Sequence, residues 1–277
     1  MSNPESSSPE TTPIKTFKVD ALSVCVYNCE VELASDVAKI FQKYLQDILT
    51  QKDLAAVVLA TGNSQIQFLE ALIALGGVDW SRLTLFHLDE YLGIDANHPA
   101  SFRYYLRQRI EKRVNPAQFH YIQGDATQPL TECQRYTQLL LAQPIDLCCL
   151  GVGENGHLAF NEPNLADFDD PHQVKLVKLA RQTRLSQVNQ GHFSHLEAVP
   201  QYAFTLTIPT LCSAQKILCL APGLGKASVV KKMLQGAISP ACPASVLRQH
   251  ANATLFLDKD SASAGLGNHS TQIKCDL

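Results

Sequence analysis

One segment of the sequence combines several residues suited to acid–base chemistry. In LGVGENGHLAFNEP, residues 150–163, glycines bracket Glu154-Asn155 and are followed by His157. Glycines beside a histidine favour a backbone shaped to present an imidazole, and Glu162 can orient that ring or set its protonation state. The glycines and the spacing of His157 from Glu162 argue against a helical HExxH zinc motif. The segment therefore predicts a catalytic histidine, with an ordinary structural loop histidine as the alternative.

A pair of adjacent carboxylates follows an apolar segment. Asp89-Glu90-Tyr91 comes directly after LTLFHL, which has the composition of a buried strand. A partly buried carboxylate with a raised pKa can move a proton to and from carbon. A turn, or a cap for the next helix, is the alternative interpretation.

A short run of small polar residues follows another apolar segment. Thr61-Gly62-Asn63-Ser64 lies between AAVVLA and the helix-like QIQFLEALIALGG. Small residues let backbone N–H groups converge at a helix start, and this arrangement binds phosphate. An ordinary Ser or Asn N-cap would use the same residues.

Two single residues near predicted helix ends complete the candidates. Lys226 follows the apolar segment KILCLAP and begins a helix, so it can add a cation to an anion site; an exposed helix lysine is the alternative. His250 closes SVLRQH, where a histidine favoured by the helix dipole is the preferred interpretation.

The candidate residues must be positioned by the elements that precede them. Seven apolar segments with strand composition alternate with helix-like segments: SVCVY, AAVVLA, LTLFHL, FHYIQ, IDLCCLGVG, KILCLAP and ATLFLD. This alternation predicts a single-domain α/β fold, Rossmann-like, with a doubly wound, mostly parallel sheet and helices on both faces. Ligands bind such sheets outside the carboxyl ends of the strands, so polar clusters that follow strands are expected to form the site.

The predicted domain spans residues 17–258. Residues 1–16 contain no apolar core of a secretory signal and predict a disordered tail, and the polar residues 259–277 predict a flexible tail. No uninterrupted apolar run is long enough to span a bilayer. We therefore expect a cytoplasmic protein that does not interact with membranes.

The composition of the chain argues against nucleic-acid-binding and disulfide-rich proteins. The 277 residues are 45% hydrophobic and 18% charged with a net charge of -3, which is typical of a globular domain and lacks the basic footprint of a nucleic-acid binder. The nine cysteines are scattered without a CxxC pair, which favours small buried side chains in a reducing compartment. A metal site built from Cys29, Cys133 and Cys242 is the alternative.

Taken together and in order, these motifs resemble a known family. TGNS, LDEYLG followed by HPASF, and GENGHLAFNEP resemble the glucosamine-6-phosphate deaminase (isomerase) family, whose superfamily also contains 6-phosphogluconolactonases. The likeness continues through TLT, GLGKA and PASVLRQH and covers about residues 23–258. The lactonase branch resembles this chain less, because its members usually carry a DER-type sequence in place of DEY and GHTASLFP in place of GHLAFNEP.

The resemblance implies an activity and roles for particular residues. The family converts glucosamine 6-phosphate and water to fructose 6-phosphate and ammonia without a cofactor. By matching position, Asp89 resembles the base that moves a proton from C2 towards C1, His157 the acid/base that opens the pyranose ring, and Glu162 its orienting partner. Asn155 stands where many members have an aspartate, and its amide can hydrogen-bond the imidazole without carrying charge.

The resemblance also implies a phosphate site. Five positions match those at which the family holds the substrate phosphate: Thr61, Gly62, Asn63, Ser64 and Lys226. The family usually has an arginine in the segment that here reads VNQGHFSHLEAV, which contains none. His192 is the residue of this segment expected to replace it, while protonated.

Three alternative functions stay open from the sequence. A galactosamine-6-phosphate deaminase differs only in the C4 epimer of its substrate, and a 6-phosphogluconolactonase would use a histidine-activated water. A non-catalytic sugar-phosphate sensor is the third, although no helix-turn-helix or basic patch accompanies it. The expected partner is a small amino-sugar phosphate, and the family includes both monomers and symmetric homo-oligomers.

Overall fold

The computed structural model describes residues 12–265, in which two sheets are surrounded by helices. The strands of the described residues are β1 Lys15–Val19, β2 Leu22–Tyr27, β3 Ala55–Leu59, β4 Leu83–His87, β5 Asp89–Tyr91, β6 Gln118–Phe119, β7 Leu147–Gly151, β8 Val174–Lys178, β9 Tyr202–Leu206, β10 Lys216–Leu220 and β11 Ala253–Asp258. The α-helices are α1 Glu30–Leu49, α2 Asn63–Leu75, α3 Phe102–Leu106, α4 Pro129–Leu141, α5 Arg181–Asn189, α6 Ile208–Cys212 and α7 Ala227–Gln235. A π-helical turn, Arg107–Glu111, continues α3, and 3-10 turns occupy Trp80–Arg82, Leu196–Ala198, Leu224–Lys226 and Pro243–Gln249.

The main sheet is almost entirely parallel. Its eight strands lie in the order β1-β2-β11-β10-β7-β3-β4-β6, and only the β1–β2 pair is antiparallel. Every residue of β3, β4 and β10 is buried, as expected where helices cover both faces of a parallel sheet. The predicted fold class is confirmed.

Alternate residues of each central strand pack into different cores. In β3, Ala55, Val57 and Leu59 point into the core formed with α1 and α2, while Ala56 and Val58 point into the core formed with α4 and α7. This follows from the two-residue period of a strand. The helices on each face therefore fix the position of the strand ends.

The connections of the sheet reverse direction between β3 and β7. From β3 the chain continues outwards through β4 and β6, and it then returns to place β7 on the other side of β3, followed outwards by β10 and β11. The loops after β3 and β7 thus lead to opposite sides of the sheet, and a ligand crevice is expected between them. Ligands of doubly wound sheets bind at such a switch point.

A second sheet, which the sequence analysis did not predict, contains one of the candidate clusters. Its three antiparallel strands lie in the order β5-β9-β8. The Asp89-Glu90-Tyr91 segment, interpreted from sequence as a post-strand cluster, turn or cap, is strand β5 itself. Three residues are too few to show strand periodicity, and their burial comes from pairing with β9.

The structure also corrects several boundaries. Lys15 and Thr16, placed in the predicted tail of residues 1–16, belong to β1 and pair with β2. The predicted tail of residues 259–277 begins too early, because Ser261 is fully buried and its hydroxyl donates to the carbonyl of Asp258. The remaining tail residues, 1–11 and 266–277, lie outside the described residues. Within residues 12–265, no helix is long and apolar enough to cross a membrane.

Candidate active site

The candidate loops emerge from neighbouring strands at one edge of the main sheet. Residues 61–64 follow β3, Asp89 follows β4, residues 152–163 follow β7, and residues 221–226 follow β10. These four strands are adjacent and parallel, so their carboxyl ends lie side by side. The sheet topology thus supports the expected single site.

The loop after β3 ends in a helix whose cap is a glycine. Gly62, with φ 99°, is the N-cap residue of α2 and provides no side-chain cap, so the alternative of an Asn or Ser cap is not realised. The positive φ favours glycine at this position. Tyr105 Oη donates to the Gly62 carbonyl at 3.0 Å and holds the loop from the side. The first N–H groups of α2 are therefore presented at the crevice without a capping side chain.

The same loop is joined to the end of β7. Gln65 Nε2 donates to Ser64 Oγ at 2.9 Å and to the Leu150 carbonyl at 3.3 Å, and Gln65 is fully buried. A Cβ added at Gly151 would lie 3.0 Å from Ser64 Oγ, so glycine allows this close approach. Sequence analysis missed Gln65, because a glutamine in the first helical turn ordinarily signals solvent exposure.

Asp89 is a buried carboxylate on β5. It is 7% exposed, and burial raises its pKa well above the ordinary value, with the neighbouring Glu90 carboxylate raising it further. Within residues 12–265 its carboxylate has no hydrogen-bond or ion-pair partner. A carboxylate in this environment is a stronger base than one in water.

Glu90, on the opposite face of the strand, has a structural role. Its carboxylate accepts hydrogen bonds from Ser101 Oγ and from the backbone N–H groups of Tyr91, Phe102 and Arg103, at 2.7–3.1 Å. The last two groups belong to the first turn of α3. Glu90, and not Asp89, thus caps the next helix, and its hydrogen bonds to the start of α3 hold β5 against that helix.

The loop after β7 brings His157 over a glycine. A Cβ added at Gly153 would overlap ring atoms of His157, so the imidazole packs directly on the Gly153 backbone. Gly156, with φ 90°, turns the chain, and its carbonyl accepts from Ala244 N at 2.8 Å. Gly153 therefore provides the surface on which the imidazole packs, and Gly156 provides the turn before it.

Asn155 fixes the tautomer of the imidazole. Asn155 Oδ1 accepts the His157 backbone N–H at 3.1 Å and lies 2.7 Å from His157 Nδ1. Because Oδ1 is only an acceptor, Nδ1 must carry the hydrogen, and Nε2 keeps a lone pair. Burial, reinforced by the charge of Lys226, lowers the His157 pKa to about 4. The ring is thus neutral near pH 7, with Nε2 able to accept a proton.

Glu162 does not hydrogen-bond the His157 ring. Its carboxylate is buried and accepts from the backbone N–H of Ala180, the residue that precedes α5, at 3.4 Å. The ring partner is Asn155 instead, so the predicted orienting role of Glu162 is wrong as a direct contact. The five residues between His157 and Glu162 turn back through the Leu158–Asn161 bridge and carry Glu162 towards α5.

Lys226 and His192 are placed differently from each other. Lys226 ends a 3-10 turn after β10 and is half-buried, and its charge acts on His157 and on Glu154. His192 is exposed, with Nδ1 2.9 Å from Gln187 Oε1 on α5. The structure thus joins Lys226 to the site, while phosphate binding by His192 stays a prediction. His250 Nε2 lies 2.9 Å from the Ala214 carbonyl, in agreement with its structural interpretation.

The cysteines do not form the alternative metal site. Among residues 12–265, no group of three or more His, Cys, Asp or Glu side chains is arranged to hold a metal. Cys29 precedes α1, Cys133 lies in α4, and Cys242 precedes the 3-10 turn Pro243–Gln249. Most of the cysteines described are buried, which agrees with their interpretation as core side chains.

The fold and the candidate residues together define an α/β protein in which a buried carboxylate, a neutral imidazole and a lysine follow adjacent parallel strands at one edge of the main sheet. The profile of the family described as glucosamine-6-phosphate isomerases/6-phosphogluconolactonase matches residues 28–256. The chain belongs to this family.

Curated relatives and solved structures agree with this assignment. The glucosamine-6-phosphate deaminases of Bacillus thuringiensis (strain Al Hakam) and Bacillus cereus (strain AH820) are each 35% identical over 233 residues, covering 84% of this chain and 87% of theirs. The solved structure of a monomeric glucosamine-6-phosphate deaminase is 32% identical with a TM-score of 0.80, covering 87% of this chain and 99% of that chain. The 6-phosphogluconolactonase of Thermotoga maritima, 20% identical with a TM-score of 0.69 over 85% of this chain and 100% of that chain, shares the fold.

Proposed function

We propose that this protein is a glucosamine-6-phosphate deaminase, which converts glucosamine 6-phosphate and water to fructose 6-phosphate and ammonia. The relatives that are 32–35% identical carry this name, whereas the lactonases are similar at the level of the fold. One observation in the structure carries the proposal. It is the buried Asp89 carboxylate at the switch-point edge, because this reaction needs a base at carbon and lactone hydrolysis does not.

The phosphate end of the substrate would anchor the sugar. The uncapped N–H groups at the start of α2, the Ser64 hydroxyl and the Lys226 ammonium are donors or cations suited to a phosphate dianion. Binding energy at this remote group would hold C1 and C2 near Asp89. We assign Thr61 and His192 to the same role as predictions.

The imidazole would open the sugar ring. Nε2 of neutral His157 can take the proton of the C1 hydroxyl and return a proton to the ring oxygen, which leaves an open-chain aldehyde. The Asn155 oxygen on Nδ1–H would keep the ring oriented through both transfers. A neutral imidazole suits this exchange, because it ends in the state in which it began.

Asp89 would then move the proton between carbons. As a carboxylate it takes the C2 proton, the electron pair of the C2–H bond forms the C1–C2 double bond of an enol amine, and the π pair of the C1 carbonyl moves to O1, which takes up a proton. When the same proton is returned from Asp89 to C1, the nitrogen lone pair forms the C2 imine and the nitrogen gives up a proton. The resulting C2 imine adds water and releases ammonia, which leaves the C2 carbonyl of fructose 6-phosphate. Since the pKa of Asp89 is raised, kcat/KM is expected to rise with pH through an ionisation above the ordinary value for aspartate.

Ammonium release tests the proposal. The protein is incubated without added cofactor with glucosamine 6-phosphate, with galactosamine 6-phosphate and, in a separate hydrolysis assay, with 6-phosphogluconolactone. We expect the first substrate to give the highest kcat/KM. Preference for the second would identify the epimer-specific enzyme, hydrolysis of the third a lactonase, and a thermal shift without product a sensor; each of these results contradicts the proposal.

Asp89→Asn tests the role of the base. It is expected to lower kcat by about two to four powers of ten. Asp47→Asn, an exposed position on α1, is the matched control and should leave kcat unchanged. Unchanged kcat in Asp89→Asn would exclude the assigned role.

We further propose a cytoplasmic, monomeric protein. Phosphorylated sugars are metabolites of the cell interior, and the similar solved deaminase is described as monomeric. Size-exclusion chromatography with light scattering measures the mass directly. A mass near 30.4 kDa supports the monomer, and a multiple of it would instead favour a symmetric homo-oligomer.

A further inference from the structure

A threonine lies directly opposite Asp89 in the second sheet. In the antiparallel β5–β9 pair, Thr205 is the Cα partner of Asp89. Side chains of directly opposed residues stand on the same face of a sheet, with Cβ atoms about 4.5–5.5 Å apart. The Thr205 side chain therefore occupies the sheet face on which Asp89 lies.

The hydroxyl of Thr205 connects this strand to the loop that carries His157. Oγ1 accepts the backbone N–H of Phe160 at 3.1 Å and Nδ2 of Asn161 at 3.4 Å, and it donates to the Leu206 carbonyl at 3.0 Å. A hydroxyl has one donor hydrogen and two acceptor lone pairs, so it can bond the Leu206 carbonyl and the Phe160 N–H and still share a hydrogen of Asn161 Nδ2, whose contact is the longest of the three. Thr205 is fully buried, and water does not compete for these bonds.

Asn161 completes the connection from the loop side. Its Nδ2 also donates to the carbonyls of Leu158, at 2.9 Å, and Leu206, at 2.8 Å. Leu158 is the residue after His157, so a single buried amide joins the histidine end of the loop to β9. Between them Ala159 adopts φ 50°, a conformation that a residue with a Cβ keeps only when its surroundings hold it.

Resting on the proposed function, we propose that Thr205 is a positioning residue whose hydroxyl fixes the His157 loop against β9, the strand paired with β5, which carries Asp89. The base and the ring-opening imidazole come from different sheets, so their separation depends on a contact between those sheets. Thr205 supplies that contact at the position opposite the base. The hydrogen bonds of its hydroxyl are all to groups of the protein, so it would act on the reaction through the loop.

Two substitutions separate the hydroxyl from the rest of the side chain. Thr205→Val keeps the shape and removes the three hydrogen bonds, and Thr205→Ser keeps the hydroxyl and removes a methyl group. Thr210→Val is the matched control, because Thr210 is also buried and donates to the Gln173 carbonyl, but it lies in α6 away from the loop. For each protein, kcat and KM for glucosamine 6-phosphate and the Ki of inorganic phosphate are measured.

We expect Thr205→Val to lower kcat about 10- to 100-fold, since a displacement near 1 Å has effects of this order. KM and the phosphate Ki should stay within about threefold, because the loop of residues 61–64 is not touched. Thr205→Ser should keep kcat within about threefold, and Thr210→Val should keep all three constants. Wild-type kcat in Thr205→Val, an equal loss in Thr210→Val, or a tenfold loss in Thr205→Ser would each overturn the inference.

A readout that does not need turnover distinguishes this inference from the proposed function. The His157 Cε1–H resonance, assigned by comparison with His157→Gln, is expected to shift in Thr205→Val and to stay in place in Thr210→Val. If the wild-type protein released no ammonium, the proposed function would fall, while this shift would still support the positioning contact. An unmoved resonance would overturn the contact whatever the activity.

Discussion

Gly153→Ala is expected to displace the imidazole of His157 and to lower turnover. A Cβ at position 153 would overlap Cε1, Nε2 and Nδ1 of the ring. Non-bonded carbon and ring atoms at their best separation lie about 3.5–4.0 Å apart, so the ring must move by more than about 1 Å. Misplacement of this size costs on the order of 100-fold in rate, and we expect kcat to fall by at least that factor.

Gly225→Ala is the matched control for this substitution. It lies in the turn before Lys226, and a Cβ there would meet open space. The assay is ammonium release at saturating and limiting substrate, with the thermal midpoint of each variant measured in parallel. KM should change by less than about threefold, because Ser64 approaches Gly151 and not Gly153. A folded Gly153→Ala protein with wild-type kcat, or an equal loss in Gly225→Ala, would refute the reasoning.

Three further predictions concern charge at the site and in the core. Asn155→Asp places a carboxylate at His157 Nδ1 and should raise the His157 pKa from about 4 by about one to three units, which an NMR titration of the ring measures. An unchanged His157 pKa would contradict the hydrogen bond between residue 155 and the ring. Lys226→Met should raise KM for glucosamine 6-phosphate about 10- to 100-fold with a smaller change in kcat, as expected for a lost charge-assisted phosphate contact; unchanged KM in steady-state kinetics would remove Lys226 from the phosphate site. Burial lowers the His87 pKa to about 3, so between pH 6.5 and 4.5 the histidine becomes protonated in the unfolded state but not in the folded state, and the free energy of unfolding should fall by about 2 kcal/mol. The free energy of unfolding is measured by urea denaturation at both pH values, and in His87→Gln it should decrease less between them than in the wild type. An equal decrease in the two proteins would show that His87 does not cause the pH dependence.

The main sheet and its edge could be predicted from the sequence. Its central strands are short apolar runs bounded by polar residues, as in AAVVLA and KILCLAP, and the alternation with helices leaves a parallel sheet as the simplest arrangement. The amphipathic stretch from about Glu32 to Gln51 predicts a helix, and the structure has α1 at Glu30–Leu49, a difference of two residues at each end. The glycines at positions 62, 153 and 156 predict turns or close packing of the backbone. In the structure Gly62 and Gly156 have positive φ, and Gly153 packs against the His157 ring.

The second sheet could not be predicted, because its strands depend on long-range pairing. YAFTL and VKLVK are unremarkable in sequence, and Asp89–Tyr91 contains two charged residues that are rare in buried strands. SFRYYLRQRIEKR has a helix-like sequence, but in the structure it divides into α3 and a π-helical turn, and SVLRQH forms part of a 3-10 turn. These choices are made by packing, which overrides local propensity.

The hydrogen-bond partner of the His157 ring also could not be predicted from the sequence. Sequence places Glu162 five residues after the histidine and Asn155 two residues before it, and either can reach a ring nitrogen. The choice depends on the backbone, which turns at Ala159 and directs Glu162 to the Ala180 N–H. A resemblance between motifs supplies the set of candidate residues, and the hydrogen bonds of the folded chain decide which of them meet.

Asp89 and Glu90 are adjacent acidic residues, and strand geometry gives them opposite properties. Successive side chains of a strand point to opposite faces, so Glu90 is directed at the N–H groups of α3 and Asp89 at the face shared with Thr205. Burial raises the pKa of both carboxyl groups, but four hydrogen-bond donors oppose this rise at Glu90, whereas Asp89 is buried without such donors and its pKa is raised further by the Glu90 carboxylate. The pair thus separates a carboxyl group held by hydrogen bonds, which has a structural role, from one that is available to act as a base. A one-residue slip of β5 against β9 would exchange the two faces, which is why the contacts that hold this register matter as much as the carboxylate itself.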